Sequence, residues 1–188
     1  MAMTVQRRKD SRLPHVFMHK VADIRGGISV KSSELGGDFL HEGAVVSVPD
    51  NGICHVVKIA RVVAESSDTS IKVKKGHNFV KGDYVMADEG GKAYAITAID
   101  TTGNKDYDTI TVGTALGTVP KDGFLIEAKA ESAASDSALK YTPLAVVGTG
   151  KPVQPNSNID TDAWLIGVTK NNPLPACVSK YLSGIINY

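Results

Sequence analysis

Between Ile71 and Ala130 the chain repeats one grammar: short runs with an apolar residue at every second position, each closed by a turn that contains glycine. A period of two puts successive side chains on opposite faces, so this stretch can bury one face of a strand and wet the other, but cannot present a helical stripe. Ile71 and Val73 alternate with Lys72 and Lys74. Past the Gly82-Asp83 turn, Tyr84 to Ala87 continues as strand, and Gly90-Gly91 turns the chain into Lys92 to Ile99, where Tyr94 and Ile96 share a face. Thr109 to Val112 alternates again. Asp122-Gly123, a strong turn dipeptide, launches Phe124 to Lys129, with Phe124 and Ile126 opposite Leu125 and Glu127. Closely spaced short strands of this kind predict a mainly β protein, a small antiparallel β-barrel or sandwich.

The same grammar extends in both directions. Ala44 to Val48 reads as a strand stopped by Pro49, and Asp50-Asn51-Gly52 as a tight turn requiring positive φ. Cys54 to Val63 reads as the returning arm of that hairpin, apolar on both faces: Val57, Ile59 and Val63 on one, Val56, Ala60 and Val62 on the other. A strand covered on both sides has this pattern. Leu139 to Val147 returns to strand, with Pro143 suggesting a sheet edge. Gly148 to Asp162 is a long loop rich in Gly, Pro, Asn and Ser, and Ala163 to Thr169 is a strand with Trp164, Ile166 and Val168 on one face. Val178, Leu182 and Ile185 fall at helical spacing, which predicts one short C-terminal helix over Ala176 to Ile186. Residues 1–38 are expected to form an extended N-terminal arm, partly wrapped over the rest, and residues 39–188 the β domain. Arg7-Arg8-Lys9 gives the start of that arm a basic character.

Charge and motifs narrow the function. Lys and Arg number 21 against 20 Asp and Glu, so the chain lacks the basic excess of a typical nucleic-acid binder. No apolar run exceeds four residues, which argues against a membrane-spanning helix or a signal-peptide core. Two cysteines, Cys54 and Cys177, make no disulfide framework and suit buried thiols in a reducing compartment. Cys54-His55 is the one adjacent thiol and imidazole, but neighbours on a strand face opposite ways and cannot act as nucleophile and base. His15 and His19 are four apart, too few ligands for zinc without a third donor. Lys72, Lys74 and Lys75, with Lys81 following, form the densest basic patch, and only Phe79 and Tyr84 lie near enough to stack on bases. A small β-barrel nucleic-acid-binding module using the Lys72–Lys81 face is therefore the alternative reading, set against a solvated strand face that keeps an edge from aggregating. Gly90-Gly91 and Gly148-Thr149-Gly150 lack the Lys-Ser/Thr of a phosphate loop. No residue is assigned a catalytic, cofactor-binding or metal-binding role, and the chain is expected not to be an enzyme.

Thr111-Val112-Gly113-Thr114-Ala115-Leu116, followed by Asp122-Gly123-Phe124-Leu125-Ile126-Glu127-Ala128, resembles sequence found in capsid decoration proteins of tailed bacteriophages. Lys74 to Met86 and the closing Ala163-Trp164-Leu165-Ile166-Gly167-Val168 look similar to phage head-fibre proteins. The resemblance implies a virion structural protein, a head fibre or capsid decoration protein on the capsid surface, made and folded in the bacterial cytoplasm. It implies a homo-oligomer, a trimer, bound to the major capsid protein, with no cofactor and no membrane. The chain carries neither heptads nor a Gly-x-y run, so a compact capsid-bound head fits better than a projecting stalk. Self-association would bury the apolar face of Val56 to Val62, or the Trp164 strand.

Overall fold

The structure, a computed structural model, describes residues 15–154 and 156–188. The beginning of the basic arm, with Arg7-Arg8-Lys9, lies outside the described residues. The first part of the chain forms β1 (Phe17–Asp23), β2 (Ile28–Val30), β3 (Phe39–Leu40), β4 (Val45–Ser47), β5 (Ile53–Cys54) and β6 (Val56–Val57). The middle forms β7 (Ile59–Arg61), β8 (Ser70–Lys74), β9 (Tyr84–Met86), β10 (Ala93–Asp100), β11 (Tyr107–Val112) and β12 (Phe124–Glu127). The last part adds β13 (Pro143–Val147), β14 (Lys151–Pro152), β15 (Ile159–Thr161), β16 (Ala163–Thr169), the one-turn helix α1 (Ala176–Ser179) and β17 (Ile185–Asn187). With 43% of residues in strands and 4% helical, the mainly β class holds.

Two β halves result. The middle strands make one sheet in the order β7–β12–β9–β10–β11–β8. Its two outer strands approach each other at a single bridge, Val62 to Val73, beside a hydrogen bond from Val63 N to Lys72 O of 2.9 Å. The sheet therefore curls without closing into a barrel. Its concave side holds Val62, Ile71, Val73, Phe79, Val85, Ile96, Ile110 and Leu125. Ile71 and Val73 on β8 and Ile110 and Val112 on β11 are buried at every second residue, as their period-two alternation predicts. Each such aliphatic side chain contributes about 1.5–3 kcal/mol on full burial.

The other half is assembled from both ends of the chain. One sheet runs β1–β16–β13–β4–β6, with β17 parallel against β16, and a smaller sheet runs β15–β2–β5. Val30, Leu40, Val46, Ala145, Val147 and Ala163 fill the space between them, a sandwich. On the outer face of the larger sheet, Val45, Val57 and Val146 are covered by Val178 and Leu182 from around α1. The curled sheet is thus an insertion between β6 and β13 of the sandwich.

Several expectations are corrected. The run Cys54 to Val63 is not one hairpin arm: β5 joins the small sheet, β6 the large one and β7 the curled one. Its doubly apolar pattern arises because Val56, Val57 and Ala60 belong to three different hydrophobic clusters. All three are buried within this chain, so that face is not available to a second copy. The helix ends at Ser179 rather than Ile186, because Gly184 lies against the Leu165 carbonyl and Ile185–Asn187 is drawn into pairing with β16. β13 lies between β16 and β4 rather than at an edge; Pro143 is tolerated as its first residue, where a missing N–H costs least. The long loop 148–162 contains β14 and β15. The segment expected to wrap supplies β1 and β2, which pair with β16 and β15. Asn51 and Asp122 take the left-handed φ that their turns require, 49° and 66°.

Candidate functional site

β1 ends its sheet and is held on one side only, by β16, through a register with three shifts. Shifts of this kind twist an edge and interrupt pairing with further strands. Its middle, Met18 to Val21, stays exposed, as do Leu165 and Ile166 on β16 and Ile186 and Tyr188 at the chain end. Ile166 and Val168 alternate onto one face of β16, where Ile186 of β17 stands opposite Val168, while on the β1 side Ala22 stands opposite Ile166 and His19 opposite Val168. The result is an apolar patch on β16 and β17, with Ile166 46% and Ile186 62% exposed, bordered on β1 by His19. Exposed apolar patches are places where a partner can dock. Trp164 shares that face of β16, as expected, and is half-buried: its Nε1 donates to Asp162 Oδ2 at 2.7 Å and Lys20 sits 5.2 Å over its ring.

The candidate reactive residues are engaged otherwise. Cys54 is buried, and desolvation pushes its thiol above the ordinary value; Cys177 is half-buried and pushed up for the same reason. His55 turns away from Cys54. Its Nδ1 stands 2.8 Å from Glu34 Oε2, so that nitrogen carries the proton, and its ring stacks on Tyr141 at 4.3 Å. Tyr141 donates to the same carboxylate at 3.0 Å, and Lys31 lies 2.7 Å from its other oxygen. Burial opposes ionisation of Glu34, but these three hydrogen bonds outweigh it and hold the carboxyl at about 2. The Tyr141 phenol, desolvated and donating to an anion, is pushed up to about 12. His15 pairs with Glu42 at 3.3 Å and His19 lies exposed on β1; neither is helical. Among the described residues no group of three or more His, Cys, Asp or Glu side chains is placed to hold a metal.

The basic face is only partly free. Lys72 and Lys74 lie on the wet side of β8 as expected, but Lys72 covers the Tyr107 ring at 5.1 Å and Lys75 pairs with Asp108 at 2.5 Å. Phe79 is buried in the curled core and offers no face to a base, and Tyr84 is half-buried against Met86, Ala93 and Ile126.

Sequence reading missed a buried polar centre at the junction of the two halves. Lys58, 2% exposed, lies where the chain passes from β6 to β7. Its Nζ stands 2.6 Å from Asp83 Oδ2 and 3.6 Å from Glu127 Oε1, and Lys140 Nζ reaches the same Glu127 oxygen at 2.7 Å. Backbone bonds from Glu127 N to Lys58 O and from Lys140 N to Glu127 O pass through the same spot. Burial pushes the Glu127 carboxyl up despite both lysines, and its Oε2 has no partner among the described residues. The surrounding pattern is apolar, and only the lysine itself, set between Val57 and Ile59, hints at a buried ion.

Below this junction a cleft of about 820 Å³ opens between the halves. Lys20, Lys58, Arg61, Lys74, Lys75 and Lys170 line it, against one carboxylate, Glu42, both of whose oxygens are engaged by Val16, Phe17 and His15. In comparisons with known proteins the chain matches no family model, no curated protein and no solved structure.

Proposed function

We propose that this chain is a structural protein of a phage or prophage virion, a head fibre or capsid decoration protein that self-associates, as a trimer, and attaches to the capsid shell. The observation that carries the reading is the exposed apolar patch of Ile166 and Ile186, with Val168 between them, on β16 and β17. Burying that patch in a symmetric contact removes the surface from water without any change of fold. The sequence resemblance to decoration and head-fibre proteins supports the same reading and supplies the shell as partner.

The test is the mass of the purified full chain by light scattering at micromolar concentration. A trimer is expected, and replacing Ile166 and Ile186 together by glutamate is expected to give monomers with an unchanged circular dichroism spectrum. A strict monomer in the parent protein refutes the association. Mass spectrometry of purified particles tests the virion assignment. The alternative, nucleic-acid binding through Lys72, Lys74, Lys75 and Lys81, requires salt-sensitive affinity for oligonucleotides that falls when Lys74 and Lys81 are replaced.

A further inference from the structure

The buried centre at Lys58 holds the parts of a condensation reaction. β12 lies between β7 and β9, with Leu125 opposite Ala60 and Glu127 opposite Val85. Lys58 stands two residues before Ala60, Asp83 two before Val85 and Glu127 two after Leu125, and Ala60, Val85 and Leu125 share the core of the curled sheet. Period two therefore turns an amine and two carboxyls to one inner face from three neighbouring strands or their ends. Main-chain bonds fix them there. Glu127 N donates to Lys58 O at 3.0 Å, and Ile96 N donates to Asp83 O at 2.8 Å.

Water is nearly excluded, with the Lys58, Asp83 and Glu127 side chains 2%, 8% and 1% exposed. Lys58 Nζ stands 2.6 Å from Asp83 Oδ2. The carbon bonded to that oxygen is only slightly further off, close to the separation of about 3–3.5 Å at which reacting atoms attack. Val80 N donates to the same Asp83 oxygen at 2.9 Å, a donor already in place for charge that develops there. Glu127 Oε1 is 3.6 Å from Lys58 Nζ, and Glu127 Oε2 has no partner among the described residues, so it is open to a proton. Burial pushes the Glu127 carboxyl up against the pull of Lys58 and Lys140, which suits it to take up a proton and give it back.

We propose that Lys58 and Asp83 condense to an intramolecular amide, with Glu127 as the proton carrier. One ammonium proton passes across the 2.6 Å contact to the Asp83 carboxylate, giving an amine and a carboxylic acid. The Nζ lone pair attacks Cγ, forming the C–N bond as the carbonyl pair moves onto oxygen. Glu127 takes a second proton from the nitrogen and delivers it to the hydroxyl on the tetrahedral carbon. The C–O bond then breaks and water leaves. One ammonium and one carboxylate thus become one amide and one water, with no co-reactant. Holding the two groups together supplies an effective concentration that can reach about 10⁵–10⁸ M. Replacing two buried ions by a neutral amide also removes their desolvation cost. Until the bond forms the two stand as the ion pair described above, and replacing Lys58 removes pair and bond together. The amide closes the chain from Lys58 to Asp83 around β8, so the curled sheet cannot unravel there, and it does not depend on self-association.

The test is the intact mass of the full-length protein, denatured after incubation in its folded form. A mass below the sequence mass by one water is expected, and tandem mass spectrometry of a tryptic digest should find Lys58 uncleaved and joined to Asp83. Lys58→Met and Asp83→Ala should each show the full mass of their own sequence. Glu127→Gln, with an unchanged circular dichroism spectrum, should condense about a hundredfold or more slowly. Lys140→Gln, which removes only the more exposed cation beside Glu127, should still lose water. The full sequence mass in the parent protein after days in the folded state would overturn the proposal. Water lost instead at Asp122-Gly123, where a turn aspartate can cyclise onto the next N–H, or a link between Lys140 and Glu127, would overturn it as well. A folded Glu127→Gln that condenses at the parent rate would refute the part given to Glu127.

Discussion

Lys58 offers the sharpest test of how the two halves are joined. Its ammonium is 2.6 Å from Asp83 and 3.6 Å from Glu127, and the side chain is 2% exposed. At such distances each attraction amounts to about 4–6 kcal/mol at an effective dielectric constant of about 20, most of it offset by the desolvation of all the charges involved. Net stabilisation by the cluster is therefore small, but removing one member is costly. Replacing Lys58 by methionine keeps the apolar stem and strands two carboxylates against a single remaining cation, Lys140. The expected loss is about 3–5 kcal/mol, the range for breaking a buried pair by deleting one partner. For a chain of this size that corresponds to roughly 10 °C in Tm. The loss also depends on pH. Glu127 already has a raised carboxyl value because burial outweighs its lysines, and losing the Lys58 attraction moves it further upward, so the folded variant takes up a proton that its unfolded chain does not. The stability of Lys58→Met therefore rises as pH falls from neutrality towards the ordinary carboxylate range, and the deficit against the parent is smaller at mildly acidic pH. Urea denaturation followed by Trp164 fluorescence measures both. A variant within about 1 kcal/mol of the parent, with no such pH trend, refutes the account of Lys58 as a buried charge that the fold depends on.

Three further outcomes are expected. Glu34 is held at about 2 against an ordinary 4.5, so its contribution is complete above about 4.5 and is lost as pH falls towards 2; in acid titration Glu34→Gln should flatten this part of the curve. Spectrophotometric titration should show one phenol, Tyr141, ionising only near pH 12, and Glu34→Gln should bring it down. Alkylation at neutral pH should be slow at Cys177 and slower at Cys54, whose rate should rise to that of a free thiol only on unfolding; rapid labelling of native Cys54 would contradict its burial.

What the sequence determined on its own was local. Period-two alternation placed β8 to β12 within a residue or two, because each strand needs only its own side chains to sort wet from dry. Asn51-Gly52 and Asp122-Gly123 marked their turns, because positive φ is a property of those residue types. Which strands pair was decided by tertiary structure. Cys54 to Val63 was legible as apolar on both faces but not as a run that changes sheets twice, since that depends on β2, β4 and β12, each brought from elsewhere in the chain. The helical spacing of Val178, Leu182 and Ile185 was real but misleading. Leu182 packs under the sandwich, whereas Gly184 and the open side of β16 turn the last residues into a strand. The buried Lys58 centre and the exposed apolar patch of β16 and β17 share this origin: each exists only because residues far apart in sequence meet, and no local pattern encodes a meeting.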